Sequence, residues 1–428
     1  MANSNQLCMR TESELRAMID RGELTRQDAV EAQLKRIAER ESEVKAWTWH
    51  DPTAVRQQLE SVSNRSLGPL SGVTIAVKDL IDTVDMPTEY GSAAYRGHQP
   101  VADAGVVTVL KAAGALMMGK TVTTEFAHSH AGATVNPHNL LHTPGGSSSG
   151  SAAAVADGMA TMALGTQTGG SVIRPAAYCG VVGFKPTIGR ITLAGVMPLS
   201  FSMDTLGVMA RSVADVQLLS DVLLGQPAAV LAPASRIRLA YYPGPDIAGA
   251  EQEALLALEK ARAVLLDQGV EFVPIDLPAD DFAALGRANR SLMAYEAARQ
   301  HQALYRTRAQ ALGETTRILI EEGLKLSEEH YLQALRHQVY CRHLFTQQMQ
   351  HIDAVVTLSA PGQAPLYRDG TGASTFNRTW TTIGAPCLTL PAGKGSKGLP
   401  LGVQFVGKMG QDHALLSLGQ KFEGIFGV

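Results

Sequence analysis

Two short stretches hold most of the residues whose types and spacing could do chemistry. TPGGSSSGSAAAVADG (143–158) and GTQTGGSVIRPAAYCG (165–180) are rich in Gly, Ser and Ala, yet both lie within otherwise apolar sequence. A serine hydroxyl becomes a nucleophile when a neighbouring base takes its proton. Glycines where a strand meets a helix let backbone N–H groups approach a ligand, and a helix N-terminus adds positive potential. Ser147, Ser148, Ser149 and Ser151 therefore read as nucleophiles or as helix caps, and residue type alone leaves that choice open. A nucleophile needs a base. His138 and His142 are near in sequence, but on a polar loop where solvated side chains are expected. Lys78 is the stronger candidate, because it ends the apolar run VTIAV and precedes Asp79. An unpaired charge at the end of a buried strand costs several kcal/mol. Desolvation lowers a lysine's pKa toward neutrality, and a neutral amine can take a serine proton. Pairing with Asp79 or Asp82, or reaching out to solvent, is the alternative.

Three other motifs match catalytic patterns by letter but not by context. GALMMGKT (114–121) satisfies the phosphate-binding pattern G-x-x-x-x-G-K-[ST]. That loop needs a strand before it and a helix after it. Here a helix precedes it and its four inner residues want burial, so the expectation is helix, turn at Gly114, then strand. GSSSG (146–150) matches G-x-S-x-G with Ser148 at its centre, but a loop precedes it where the nucleophile elbow requires a strand. SEVK (42–45) matches S-x-x-K among charged residues, and reads as a solvated surface turn.

The elements that must position these residues follow from patterning. Thr11 with Glu14, and Thr25 with Asp28, are capping-box spacings that open two helices. Residues 72–82 read as a strand, 102–115 as a helix and 116–120 as a short buried strand. An Ala-rich helix over 151–159 leads into an apolar strand over 160–168. Strand, helix and strand are expected over 236–243, 251–268 and 270–277, and 280–350 is mostly helical. Strands return at 352–361, 386–393 and 402–408, and a helix begins near Asp412. This alternation implies one α/β sheet wrapped by helices. No linker or fixed-period repeat divides the chain.

Composition narrows the function classes. The 428 residues are 45% apolar and 18% charged, with a formal net charge of −3, which is ordinary for a globular protein. There is no basic excess to attract nucleic acid, and no run of about 18 apolar residues to span a membrane. The first twenty residues turn charged before an apolar leader core forms, so a cytoplasmic location is expected. Cys8, Cys179, Cys341 and Cys387 are widely separated, which suits free thiols better than disulfides or a zinc site. No metal or cofactor is expected.

With these residues in view, the chain resembles the amidase signature hydrolases. PGGSSSGSAAAVADGMATMALGTQTGGSVIRPAAYCGVVGFKPTIGRI is similar to the signature block almost throughout, and GVTIAVKDLIDT to the family's lysine segment. AGALMMGKTVTTEFA, GVMPLSFSMDTLGVMARSVADV and GAPCLTLPAG with GLPLGVQFVGK extend the resemblance over roughly 70–425, weakest over 220–350. It implies a single large domain over 1–428: a signature core at 65–220, a variable helical region at 220–350, and C-terminal strands and a helix at 351–428. Its sheet would be mixed, mostly parallel and twisted, with helices on both faces.

The resemblance further implies a Ser–cisSer–Lys triad. Ser171 would be the nucleophile, Ser147 the middle member 24 positions earlier behind a cis Gly146–Ser147 peptide, and Lys78 the base. The amides of Thr168, Gly169, Gly170 and Ser171 would form the oxyanion hole. Three departures from the commonest pattern stand out. Gln167 replaces the usual acid before TGGS, Ser148 lies in GGSSSGS rather than GGSSGGS, and Arg174 follows Ser171 by three positions rather than two. Together they resemble the malonamidase-like branch, which acts on small amides carrying a carboxylate, and they place Gln167, Ser148 and Arg174 as substrate-binding candidates. Arg174 would clamp the carboxylate or, equally, pair with a buried carboxylate of the protein. The implied activity is hydrolysis of a small linear amide to carboxylate and ammonia through an acyl-enzyme. Urea- and carbamate-type amides, and an amidotransferase A-type subunit working in a complex, are the alternatives. A small-molecule amide is the expected partner, and a homodimer is left open.

Overall fold

In a computed structural model that describes residues 4–63, 68–128, 131–225 and 236–427, eleven strands form one sheet. They are β1 (Trp47–Trp49), β2 (Thr74–Lys78), β3 (Leu116–Thr121), β4 (Met162–Gln167), β5 (Val182–Lys185), β6 (Thr205–Ala210), β7 (Arg238–Tyr241), β8 (Glu271–Phe272), β9 (Ala354–Leu358), β10 (Cys387–Lys394) and β11 (Pro400–Gly407). Their order across the sheet is β1-β3-β2-β4-β6-β5-β10-β11-β9-β7-β8.

Side chains alternate between the two faces of a strand, and the packing follows that alternation. Ile75 and Val77 of β2, Leu164 of β4, Leu206 and Val208 of β6 and Phe405 of β11 join one core with the helices Gly105–Ala112, Val213–Leu224, Gln252–Asp267 and Asp412–Phe422. On the opposite face, Ala76, Ala163 and Met209 meet the helices Arg26–Val44, Pro52–Ser63, Ser149–Ala156 and Ile173–Cys179. Further along that face Ala240, Val355, Cys387 and Val406 pack under Ala279–Arg308, Glu328–Gln348 and Thr375–Ile383. Helices thus cover both faces of a mixed sheet in one large α/β domain, as expected.

The share of parallel pairing is smaller than expected. Only β2–β3, β2–β4, β7–β8 and β7–β9 are parallel, four of the ten pairings. The rest are antiparallel. The reason is that β5 and β6, and β10 and β11, follow one another without a crossover helix and pair antiparallel. The starting boundary at 65, and residues 226–235 of the helical section, lie outside the described residues.

Both capping boxes form as the spacings predict, at Thr11–Glu14 and Thr25–Asp28. GALMMGKT follows the helix Gly105–Ala112, turns at Gly114 (φ +90°) and runs into β3, as expected. Ser42 and Lys45 of SEVK are exposed, but at the end of a helix rather than in a free turn; Lys45 is its left-handed cap. His142 corrects an expectation. It is buried, and its Nδ1 lies 2.7 Å from the Ala364 carbonyl, because the 136–143 loop is covered by the chain around 364–367. His138 is exposed, as expected, with its Nε2 2.9 Å from the Cys179 carbonyl.

Candidate active site

The site forms where β2 and β4, parallel neighbours, end side by side. Lys78 is the last residue of β2 and is fully buried. Its Nζ donates to Ser147 Oγ at 2.7 Å, to Thr166 Oγ1 at 2.8 Å and to the Thr166 carbonyl at 3.4 Å. Burial pulls this amine well below the ordinary lysine range, opposed by the Asp204 carboxylate. No carboxylate lies within ion-pair distance of it among the described residues, so neither Asp79 nor Asp82 pairs with it. Asp79 faces Lys120 instead, at 3.7 Å.

Ser147 follows a cis peptide with Gly146. Its loop is held by Ser148, which is fully buried and clasps β4: Ser148 Oγ accepts from Thr166 N at 3.3 Å and lies 3.4 Å from the Thr166 carbonyl. Ser171 closes the turn after β4 and is 7% exposed, against 2% for Ser147. Ser147, Ser171, Gly169, Gly170, Thr168 and Arg174 line one cavity of about 460 Å³. Among the described residues no hydrogen bond joins the Ser171 hydroxyl to the protein.

The backbone of the turn 168–171 is anchored through its carbonyls. Asn289 Nδ2 donates to the Thr168 carbonyl at 3.0 Å, Thr381 Oγ1 to Gly169 at 2.6 Å, Arg174 N to Gly170 at 3.0 Å and Ser148 N to Ser171 at 3.4 Å. None of the four amides of Thr168, Gly169, Gly170 and Ser171 donates to a protein acceptor among the described residues. A peptide group is planar, so a held carbonyl fixes the N–H on the next residue. Carbonyls turned into the protein leave amides free for a ligand. The Thr168 hydroxyl is tied at 2.5 Å to Asp204, whose other oxygen accepts from Leu199 N and Ser200 N at 2.8 and 2.9 Å. Burial raises Asp204 to about 6, against these bonds.

Gln167 does not line the cavity. It is fully buried: its Oε1 accepts from Val172 N at 2.8 Å and Ile173 N at 3.0 Å, and its Nε2 donates to Thr381 Oγ1 at 2.8 Å. The expected substrate contact by Gln167 is therefore corrected to a cap on the helix Ile173–Cys179. Ser148 is corrected likewise, since its hydroxyl is turned into β4. Arg174 does face the cavity. Its Nη2 donates to the Gly146 carbonyl at 2.5 Å and lies 3.5 Å from Thr371 Oγ1, while its buried Nε has no partner among the described residues. It forms no ion pair with any described carboxylate, so the buried-pair alternative is absent. Burial, aided by Arg378, lowers Arg174 only to about 10, which leaves it charged at neutral pH.

Sequence reasoning missed Thr166, Asp204, Asn289, Thr381 and Arg378. No local pattern marks Asn289, Thr381 or Arg378, which arrive from helices more than a hundred residues downstream. Asp204 lay within a family-like segment but carried no motif of its own.

Comparison with known proteins agrees with this architecture. A family model described as Amidase matches residues 28–416. The A-type subunit of glutamyl-tRNA(Gln) amidotransferase from Roseiflexus castenholzii is 31% identical over 97% of this chain and 95% of its own. Its counterpart from Geotalea daltonii is 31% identical over 96% of each chain. Among solved structures, an amidase superposes with a TM-score of 0.87 at 30% identity, covering 96% of this chain and 98% of that one. The peptide amidase of Stenotrophomonas maltophilia gives 0.79 at 29% identity over 95% of both.

Proposed function

The chain belongs to the amidase family, and from that premise we propose that it hydrolyses the C–N bond of a small amide carrying a carboxylate. The observation that carries the reading is the short bond from a buried, neutral-leaning Lys78 to Ser147, which itself lines a cavity with Ser171 and the turn whose four amides donate to no acceptor among the described residues. Ser147 gives its proton to neutral Lys78 and takes the proton of Ser171. Ser171 Oγ bonds to the amide carbon, and the carbonyl π electrons move to oxygen. The amides of residues 168–171 receive that oxyanion, at about 2.7–4 kcal/mol for a well-placed donor. As the carbonyl re-forms, the C–N bond breaks and the nitrogen takes the proton back from Lys78 through Ser147. Ammonia leaves. Water, giving its proton by the same route, releases the carboxylate from Ser171. The free edge of Arg174 binds the substrate's own carboxylate, for which a planar fork is suited.

Ammonia release by the isolated chain, measured over monoamides with and without a carboxylate, tests this. Release that depends on Ser171 and favours the acidic amides is expected; no release from any amide overturns it. A second reading, an amidotransferase A-type subunit, is favoured by the relatives of that name at 31% identity along nearly the whole chain. That reading predicts ammonia release only after partner subunits are added.

A further inference from the structure

The cavity holds a second cation that the single-carboxylate reading leaves without a role. Arg378, on the helix Thr375–Ile383, lines the same cavity as Arg174. Its Nε donates to Ser374 Oγ at 3.0 Å, and its two terminal nitrogens bond to no described residue. No described carboxylate lies within ion-pair distance of it. The two guanidiniums have separate anchors. Arg174 is tied to the Gly146 carbonyl, beside Ser147, whereas the Arg378 stem stands against the Gly169 turn, 3.9 Å from where a Cβ on Gly169 would lie.

Burying one unpaired guanidinium is costly, and burying or half-burying two on one cavity is more so unless an anion arrives. The other charged groups facing the cavity do not supply it. Arg290 is already bonded to Glu322 at 2.5 Å, and Glu251 and Asp369 are exposed. The volume, about 460 Å³, lies in the range that holds drug-sized ligands, about 300–1,000 Å³. A three-carbon monoamide leaves most of it empty.

We propose that the cavity takes an amide bearing two carboxylates, one on Arg174 and the other on Arg378. The proposal rests on the amidase reading for the bond that reacts, but not for the binding of two anionic groups. Its test is therefore a binding measurement. Calorimetry on the whole chain compares succinate, with two carboxylates, against butyrate, of the same length with one. Succinate is expected to bind about tenfold tighter or more, with a steeper loss in raised salt. Arg378→Gln brings succinate to the butyrate level, and thermal melting reports whether that variant folds. Equal affinity of the unaltered protein for the two acids overturns the proposal without any variant, and so does an equal loss of both in folded Arg378→Gln. A succinate preference without hydrolysis of any amide upholds the two-anion cavity and sinks the amidase reading alone. Hydrolysis without that preference does the reverse.

Discussion

Thr381→Val replaces the hydroxyl with a methyl group and keeps the shape of the side chain. In the native protein the hydroxyl donates over the shorter of two distances, 2.6 Å, to the Gly169 carbonyl, and its oxygen accepts from Gln167 Nε2 at 2.8 Å, so the substitution removes both bonds. The Asn377 carbonyl, at 2.9 Å, is the competing acceptor. The Gly169 carbonyl belongs to the same peptide plane as the Gly170 N–H, so the hydroxyl sets the direction of one proposed oxyanion donor. Losing a donor outright costs about 2.7–4 kcal/mol, whereas the anchoring bond itself is worth about 0.5–1.5 kcal/mol. The valine variant should fall between these bounds, with kcat down about ten- to hundredfold, or about 1.4–2.7 kcal/mol. KM should change little, because the donor matters most once the oxyanion has formed. Steady-state kinetics on an acidic monoamide, with ammonia as the readout, measures both constants. Thr381→Ser restores the hydroxyl and should recover most of kcat. A valine variant within threefold of the parent in kcat, or a serine variant as impaired as valine, would refute the argument that carbonyl anchoring aims the amides.

Ser171→Ala should abolish ammonia release while the melting temperature stays within a few degrees, because one oxygen at the cavity wall is lost; activity within tenfold of the parent removes Ser171 from the nucleophile role. Lys78 must be neutral to accept a proton, so kcat/KM should fall on the acid side as its buried amine becomes charged, and Lys78→Ala should be inactive with no such limb; a parent profile that is flat to about pH 5 speaks against this base. Arg174→Ala should cost acidic amides about thirtyfold or more in kcat/KM while sparing neutral amides of equal length, as loss of a desolvated charge contact of about 2–5 kcal/mol requires. Arg174→Lys should rescue poorly, since a point charge cannot reproduce the fork. Equal losses on both substrate kinds would reassign Arg174 to holding the Gly146 carbonyl.

Much of this site was legible because it is local. Lys78 betrayed itself by ending an apolar strand, and the two Gly/Ser loops by standing where apolar elements should have continued. The strands β2, β3, β4, β9, β10 and β11 also carried readable apolar patterns. What escaped was non-local or too short. The helix Ile173–Cys179 holds a proline and only seven residues, and gives little periodicity. β1 has three residues, so its existence rests on its neighbour in the sheet, and of the strand expected over 270–277 only Glu271–Phe272 forms. Gln167 was misplaced because residue type does not tell an amide facing a ligand from one facing a helix end. Its partners, Val172, Ile173 and Thr381, emerge only in three dimensions.

The linker-like composition of the two loops has a physical cause in the packing. A Cβ on Gly150 would sit 2.2 Å from the Ala46 carbonyl, and one on Gly170 would sit 2.4 Å from Asn377 Oδ1. No real Cβ tolerates either distance, so both glycines are fixed by what presses on them from behind rather than by flexibility. Gly169 differs. A Cβ there meets nothing closer than Ser374 Oγ at 3.5 Å, on the cavity side. The protein interior thus demands Gly170, while only an occupant of the cavity would demand Gly169. The same division runs through the whole turn. Its carbonyls are held by Asn289, Thr381, Arg174 and Ser148, groups drawn from four separate segments, and its amides are left to whatever enters. A stretch with almost no side chain is therefore tightly constrained, because its backbone is what the surrounding segments hold.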